Sequence, residues 1–305
     1  MNGKIPHIVQ YQGSKRILAP QILKYMPRKF NRLLEPFSGM AAISIAVSKE
    51  QRARQYYIND INKPVIRLLR AAIHTPDDLV KKYSKVWAEQ FDYPEGHIRH
   101  FHHIRDCFNA GEQTAENMLY LLARCVKGSI RYGKNGNFNQ SPDKRRHGTN
   151  PKNIVENVYG ISALLKGKTT FSSVDYRQIL ETAVSGDLVY MDPPYQGVSK
   201  TRDNRYFAGI SFDDFSDAIE TLNRKGVDYV ISYDGLCGGK AYGNALPQSL
   251  NCTKFLLNAG LSTQATLLGK RDITYEALYV SERLAGITRL LKTLPTQMTL
   301  MAMVE

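Results

Sequence analysis

Cysteine is scarce in this 305-residue sequence, and the spacing of its four copies excludes two kinds of chemistry. Cys107 and Cys125 stand 18 positions apart, Cys237 and Cys252 stand 15 apart, and no C-x-x-C occurs. Neither a zinc knuckle nor a disulfide framework is indicated, so reduced, structural thiols are expected. Long apolar runs are absent as well: none approaches the roughly 20 residues that a membrane span needs. The opening "MNGKIPHIVQYQGSK" has no hydrophobic signal core, which points to a soluble, cytoplasmic protein. Acid is the third shortage, since 28 Asp and Glu against 41 Lys and Arg leave a formal charge of +13. That excess favours a polyanionic partner, either nucleic acid or an anionic membrane surface.

What is present alternates between two periods. From residue 16 to 72 the signals run helix ("ILAPQILKYM"), strand ("RLLEPF"), helix ("AAISIAVSKE"), strand ("QYYIND") and helix ("NKPVIRLLRAAI"). Pro64 falls in the first turn of the last helix, where a missing N–H does no harm. This is the pattern of a parallel sheet with helices on its faces. Residues 73 to 168 carry few strand signals and many polar residues. From 169 the rhythm resumes with "TTFSSVD", "YRQILETAV", "DLVYM", "SFDDFSDAIETLNRK" and "VDYVISYDG", and "TKFLLNAG" and "YEALYVS" read as two further strands. The expectation is one α/β domain in two halves, 1–72 and 169–290, split by a mostly helical inserted module at 73–168 and followed by a tail at 291–305.

Open α/β sheets bind ligands beyond the carboxyl ends of their strands, so the chemistry is sought there. Gly39 in "EPFSGMAAI" lets backbone approach a ligand where a strand turns into a helix. Asp60, 21 positions later at the end of "YYIND", is placed to hydrogen-bond a ribose. The third strand end is "LVYMDPPYQG". Pro193 and Pro194 stiffen the backbone and remove two N–H donors, leaving carbonyls and the Asp192 carboxylate as acceptors beside the Tyr195 ring. Such a group fits a planar partner that donates hydrogen bonds, an exocyclic amine on a nucleobase. That nitrogen is a poor nucleophile because its lone pair is delocalised into the ring. With Asp192 and the Pro193 carbonyl accepting its two protons, it pyramidalises and aims the lone pair at an electrophile, while Tyr195 stacks on the base.

Charge is concentrated elsewhere. From Arg124 to Lys152 there are eight Lys and Arg and one acid, Asp143. Arg124, Lys127, Arg131, Lys134, Lys144, Arg145 and Arg146 are expected to meet phosphates, and Tyr132, Asn135, Asn137, Phe138 and Asn139 to offer amides to base edges and rings that stack or wedge. The "GKNG" turn suggests a hairpin with an outward tip. "HIRHFHHIR" (97–105) spreads four histidines around a helix with no acid or cysteine to complete a ligand set, so a helix touching DNA or solvent is expected there and no metal.

These residues resemble the Dam-like DNA adenine-N6 methyltransferases, with the motifs in the family's order across roughly residues 8 to 283. "VQYQGSKRILAPQI" resembles the N-terminal motif that helps hold S-adenosylmethionine, with Tyr11 and Lys15 at the positions of its aromatic and its lysine. "EPFSGMAAI", with Glu35, Phe37 and Gly39, is similar to the motif at the methionine end of that cofactor, though Met40 and Ala41 stand where a second small glycine is usual. Asp60 in "NDIN" matches the acid on the ribose, and Asp175 in "SSVDYRQIL" the aspartate that reaches the cofactor's adenine. Asp192, Pro193, Pro194 and Tyr195 match the catalytic tetrapeptide, and "RYGKNGNFN" resembles a hairpin of the target-recognition module.

The resemblance implies a Rossmann-like methyltransferase sheet with helices on both faces and an inserted DNA target-recognition module. It also implies a monomer that flips adenine out of duplex DNA and methylates its N6. The rival functions are a cytosine-N4 or RNA methyltransferase and a catalytically silent DNA-binding regulator on the same fold. A nicotinamide dehydrogenase also suits Gly39 and Asp60 but gives no reason for Asp192 to Tyr195.

Overall fold

Leu188, Val189, Tyr190 and Met191 are all buried, an unbroken apolar run of the kind found in a strand covered on both faces. This strand, β4 (Leu188–Met191), is central to the sheet in the computed structural model, which describes residues 4–194, 210–237, 240–242, 245–261 and 273–293. Beside it on one side is β1 (Phe30–Glu35), followed outward by β2 (Ala53–Asn59) and β3 (Thr169–Ser172), all parallel. On its other side lies parallel β5 (Asp228–Cys237), which carries a short antiparallel β6 (Lys240–Tyr242). The sheet ends in antiparallel β7 (Cys252–Leu261) and β8 (Ile273–Ser281), giving the order β3-β2-β1-β4-β5-β8-β7. Successive strands step outward from β1 to β3 and then return to its other flank at β4, so a crevice opens at the carboxyl ends of β1 and β4.

Two cores flank the sheet. Leu33, Tyr190 and Val230 face one, with α1 (Ala19–Ile22), α2 (Ala42–Lys49) and α3 (Lys63–His74). That core runs on into four helices between β2 and β3: α4 (Pro76–Glu89), α5 (His97–Asn109), α6 (Ala115–Arg124) and α7 (Pro151–Leu165). Leu34, Val189, Met191 and Tyr229 face the other core, against α8 (Tyr176–Glu181) and α9 (Phe212–Arg224). The mixed α/β fold with helices on both faces is as the sequence suggests. A final helix, α10 (Glu282–Thr293), was not anticipated.

Local rules account for the ends. Thr114 caps α6, Asn150 caps α7 and Ser211 caps α9, each side chain accepting a first-turn N–H. Pro64 does open α3. Of the helix carrying "HIRHFHHIR", His100, Phe101 and Ile104 are buried, and His100 Nδ1 lies 2.8 Å from the Tyr120 hydroxyl. That face packs inward, while Arg99, His103 and Asp106 on the same helix are exposed. Among the described residues no cluster of His, Cys, Asp or Glu has the makings of a metal site, and no helix is long and apolar enough to cross a membrane.

One contact joins the segment after α6 to the N-terminal strip. Gly128 has φ +58, and a Cβ there would lie 2.1 Å from the Gln10 carbonyl oxygen. The Gln12 amide donates to the Gly128 carbonyl at 3.0 Å. No larger residue fits at 128 without moving the strip that carries Tyr11 and Lys15.

Candidate active site

β1 ends at Glu35, and the chain turns through Phe37 and Gly39 (φ +47) into α2. β2 ends at Asn59, and the Asp60 carboxylate that follows fastens this turn: Oδ2 accepts the Gly39 amide at 2.8 Å and Oδ1 the Asn62 amide at 2.9 Å. Asn59 Nδ2 donates to the carbonyls of Pro36 and Val174, at 2.9 and 3.0 Å, tying the ends of β1, β2 and β3 together. Ala41, just before α2, holds a left-handed conformation (φ 54, ψ 38) that glycine adopts freely. The departure from the usual glycine pattern thus costs roughly 1 kcal/mol of backbone strain and leaves the turn intact. Tyr11 crosses over this turn, and a Cβ on Gly39 would stand 3.0 Å from its ring.

These elements enclose a cavity of about 400 Å³. Tyr11, Lys15, Glu35, Phe37, Gly39, Asp60, Asp175, Asp192, Pro193 and Pro194 all line it, although they come from five separate stretches of the chain. Tyr195 and residues 196–209 lie outside the described residues. Two lining groups escaped the sequence reading: the Ser38 and Tyr176 hydroxyls are buried and have no hydrogen-bond partner among the described residues. Buried polar atoms without partners are costly, and a polar ligand in the cavity would supply those partners. Phe37 and Tyr176 pack with ring centroids 5.0 Å apart, forming an aromatic wall. Asp175 caps α8 by accepting the Arg177 amide at 2.9 Å and also pairs with the Arg177 guanidinium.

The electrostatics are dominated by buried acid. Lys15 Nζ stands 3.0 Å from Asp192 Oδ1 and 3.0 Å from Glu276 Oε1. Burial pushes the Asp192 carboxyl up to about 7, Lys15 draws it down and Glu276 pushes it up again. Glu35 accepts the amide and the hydroxyl of Ser44 in the first turn of α2, yet burial pushes its carboxyl up to about 8. Burial also raises Asp60. Among the described lining residues Arg177 is exposed and paired with Asp175, so Lys15 is the one buried cation against several buried carboxylates, which suits a ligand that brings positive charge.

This surplus has a consequence for stability. The native state holds a proton on Glu35 that an unfolded chain releases near 4.5, so the contribution is lost as pH rises toward 8. His7, His97, His100 and His102 are shifted downward, chiefly by burial, and oppose this trend below 6.5. Between pH 6.5 and 8 the ligand-free protein is expected to lose about 1–2 kcal/mol of unfolding free energy, with Asp192 adding to the fall. Urea titrations should show that loss reduced in Glu35→Gln, and equal slopes in the two proteins would contradict the assignment.

The basic segment meets this cavity at its base. Its hairpin forms around residues 133–136: the Gly133 amide donates to the Asn137 carbonyl at 2.8 Å, and Asn139 to Arg131 at 2.8 Å. Lys134, Asn135 and Asn137 are exposed at the tip, and Lys127, Arg131, Asn139, Lys144, Arg145 and Arg146 are exposed too. Tyr132 is half-buried and donates to Asn62 Oδ1 at 3.2 Å on the cavity rim. Two expected DNA contacts are corrected. Arg124 is fully buried, donating to the carbonyls of Asp143 and His97, and Phe138 is 1% exposed among Phe108 and Tyr132. As placed, the first holds loop backbone and the second packs the core.

Comparison with known proteins gives the same direction. The family model for D12 class N6 adenine-specific DNA methyltransferases matches residues 11–258. A DNA adenine methylase of Serratia marcescens is 26% identical over 63% of this chain and 68% of its own length. The Type II methyltransferase M1.LlaDCHI of Lactococcus lactis subsp. cremoris is 26% identical over 73% of this chain and 79% of its own. The DNA N-6-adenine-methyltransferase of Escherichia phage P1 is 25% identical over 67% of this chain, which spans about a quarter of that protein, 26%. Among solved structures, a SAM-dependent methyltransferase from Agrobacterium tumefaciens aligns with a TM-score of 0.38 at 9% identity, covering 87% of this chain and 61% of that one.

Proposed function

The chain belongs to the D12 class N6 adenine-specific DNA methyltransferase family, and from that premise we propose that it methylates the N6 amine of adenine in duplex DNA, with the base flipped into the cavity between β1 and β4. The observation that carries this is the convergence of Asp192, Pro193 and Pro194 with Gly39 and Asp60 on one cavity. An amine-holding acceptor set and a glycine turn with its acid, read separately from the sequence, meet where one reaction needs both.

S-adenosylmethionine, when bound, supplies a methyl carbon made electrophilic by a sulfonium. The residues of this chain suit such a group. Carboxylates in excess balance its positive charge, the unpartnered Ser38 and Tyr176 hydroxyls offer it hydrogen bonds, and Phe37 and Tyr176 give a flat group a wall. Tyr11, Glu35, Gly39, Asp60 and Asp175 complete that half of the cavity. Asp192 and the Pro193 carbonyl accept the two amine protons of the adenine, and Tyr195 stacks on the ring. Held this way, the nitrogen would present its lone pair to the sulfonium methyl carbon that the cofactor supplies, and the proton it sheds would pass to the Asp192 carboxylate that already accepts it. Most of the acceleration comes from holding the two reactants about 3 Å apart in a site closed to water. Extruding the base costs a few kcal/mol, offset by contacts to the flipped base and to the gap behind it. Lys127, Arg131, Lys134, Lys144, Arg145 and Arg146 hold phosphates, while Asn135, Asn137 and Asn139 meet base edges.

Incubation with methyl-tritiated cofactor and either duplex DNA or RNA tests this. Label is expected in DNA alone, and digestion should release it as N6-methyladenine. Label in N4-methylcytosine or in RNA would overturn the assignment, and duplex binding without label would support a silent DNA-binding protein.

A further inference from the structure

Glu276 is placed by the fold, through an antiparallel register that sets it opposite Gly235 of β5. Its side chain is only 12% exposed, and its Oε1 stands 3.0 Å from the Lys15 ammonium that also contacts Asp192. The Glu276 contact lacks hydrogen-bond geometry and is held by charge. Among the described residues, two acids therefore share one cation away from bulk water. A structural ion pair needs one acid for one base. A second carboxylate adds a desolvation cost and recovers less Coulomb energy, because the cation is already partly matched. Stability alone does not account for that second acid.

We propose that Glu276 is a positioning residue for methyl transfer: by drawing on the Lys15 ammonium it keeps that cation beside Asp192 without letting it saturate the carboxylate. This rests on the reading that Asp192 accepts from the adenine amine. A carboxylate fully engaged by an ammonium is a weaker acceptor, and the amine needs a strong one to localise its lone pair. Lys15 is equally needed, since without it burial and the neighbouring acid hold Asp192 protonated near neutral pH. Glu276 and Lys15 thus pull the site in opposite directions. Among the described residues, the charged and titratable groups around Asp192 are Lys15 from the N-terminal strip, Glu276 from β8, Glu35 from β1 and Tyr190 from β4. Burial keeps Tyr190 neutral throughout the accessible range, and its hydroxyl lies 2.8 Å from that of Ser232.

The test is the pH dependence of kcat and kcat/KM on duplex DNA for the wild type, Glu276→Gln, Glu276→Asp and Lys15→Met. In Glu276→Gln the high-pH plateau of kcat should fall roughly tenfold or more, with KM for the cofactor little changed, as for a group that acts in the transition state. Its acid limb should move to lower pH, because Lys15 then serves Asp192 alone. Lys15→Met should move the limb to higher pH. Glu276→Asp keeps the charge and should recover much of the plateau, so it decides the matter should the glutamine variant not fold. A wild-type plateau in Glu276→Gln, or limbs that move the same way in the glutamine and Lys15 variants, overturns the proposal. If Asp192→Asn is inactive while Glu276→Gln behaves as wild type, only the role of Glu276 falls. If the wild type methylates no duplex adenine, the functional reading falls first.

Discussion

Replacing Asp192 with alanine is expected to lower methyl transfer by about a thousandfold or more while leaving duplex binding within roughly twofold, because the acceptor is lost and the phosphate-facing cations are not. The variant should stay folded. Removing the Asp192 carboxylate leaves Lys15 beside Glu276, so no buried ammonium is stranded. One source of buried negative charge disappears as well, and melting temperature at pH 8 should be no lower than in the wild type. Asp192→Asn is the stricter comparison: it keeps the shape and one acceptor oxygen but places an NH₂ against a group that donates. Filter binding and tritium transfer on the same samples separate the two activities. Equal loss of both would mean that Asp192 serves DNA binding too.

A fourfold charge removal, Lys134→Ala with Lys144→Ala, Arg145→Ala and Arg146→Ala, is the other large effect expected. Each phosphate contact releases a counterion, so the slope of log affinity against log salt should flatten by up to ~3.5, and affinity at physiological salt should drop on the order of a hundredfold. Fluorescence anisotropy across a salt series gives both numbers. These four side chains are exposed, and the folded state should tolerate their loss. A slope unchanged in the quadruple variant would place the duplex on another face. Arg124→Ala is the contrasting case, since that guanidinium is buried on loop carbonyls and its removal should lower stability without a specific change in slope.

Much of this architecture was legible because its signals are local. "LVYM" reads as a buried strand from four residues, the glycine turn and Asp60 lie within one βαβ unit, and Asp192 announces itself through the two prolines beside it. Arg124 is the counter-example, because its charge alone groups it with the exposed cations that follow. Arg124 closes α6, a helix in which eight of the ten residues are buried, so membership of that apolar helix is what sets the arginine apart from the exposed run after it. Phe138 offered a weaker cue, as the apolar residue between two exposed asparagines in a hairpin arm. Glu276 was legible only as an oddity, an acid one residue before "ALYV". Its partner lies 261 positions earlier, and only the pairing of β8 with β5 and the path of the N-terminal strip bring the two together. Such long-range encounters depend on strand order, which no window of sequence contains.

The seam between Gly128 and Gln10 has a last consequence. With no room for even a methyl group and an amide of Gln12 fastened across it, the turn bearing Lys127 sits directly against the strip bearing Tyr11 and Lys15. Should a duplex held at Lys127 tighten the methyl donor across this seam, reciprocity requires the donor to tighten the duplex by the same factor, which paired titrations of each in the presence of the other would read.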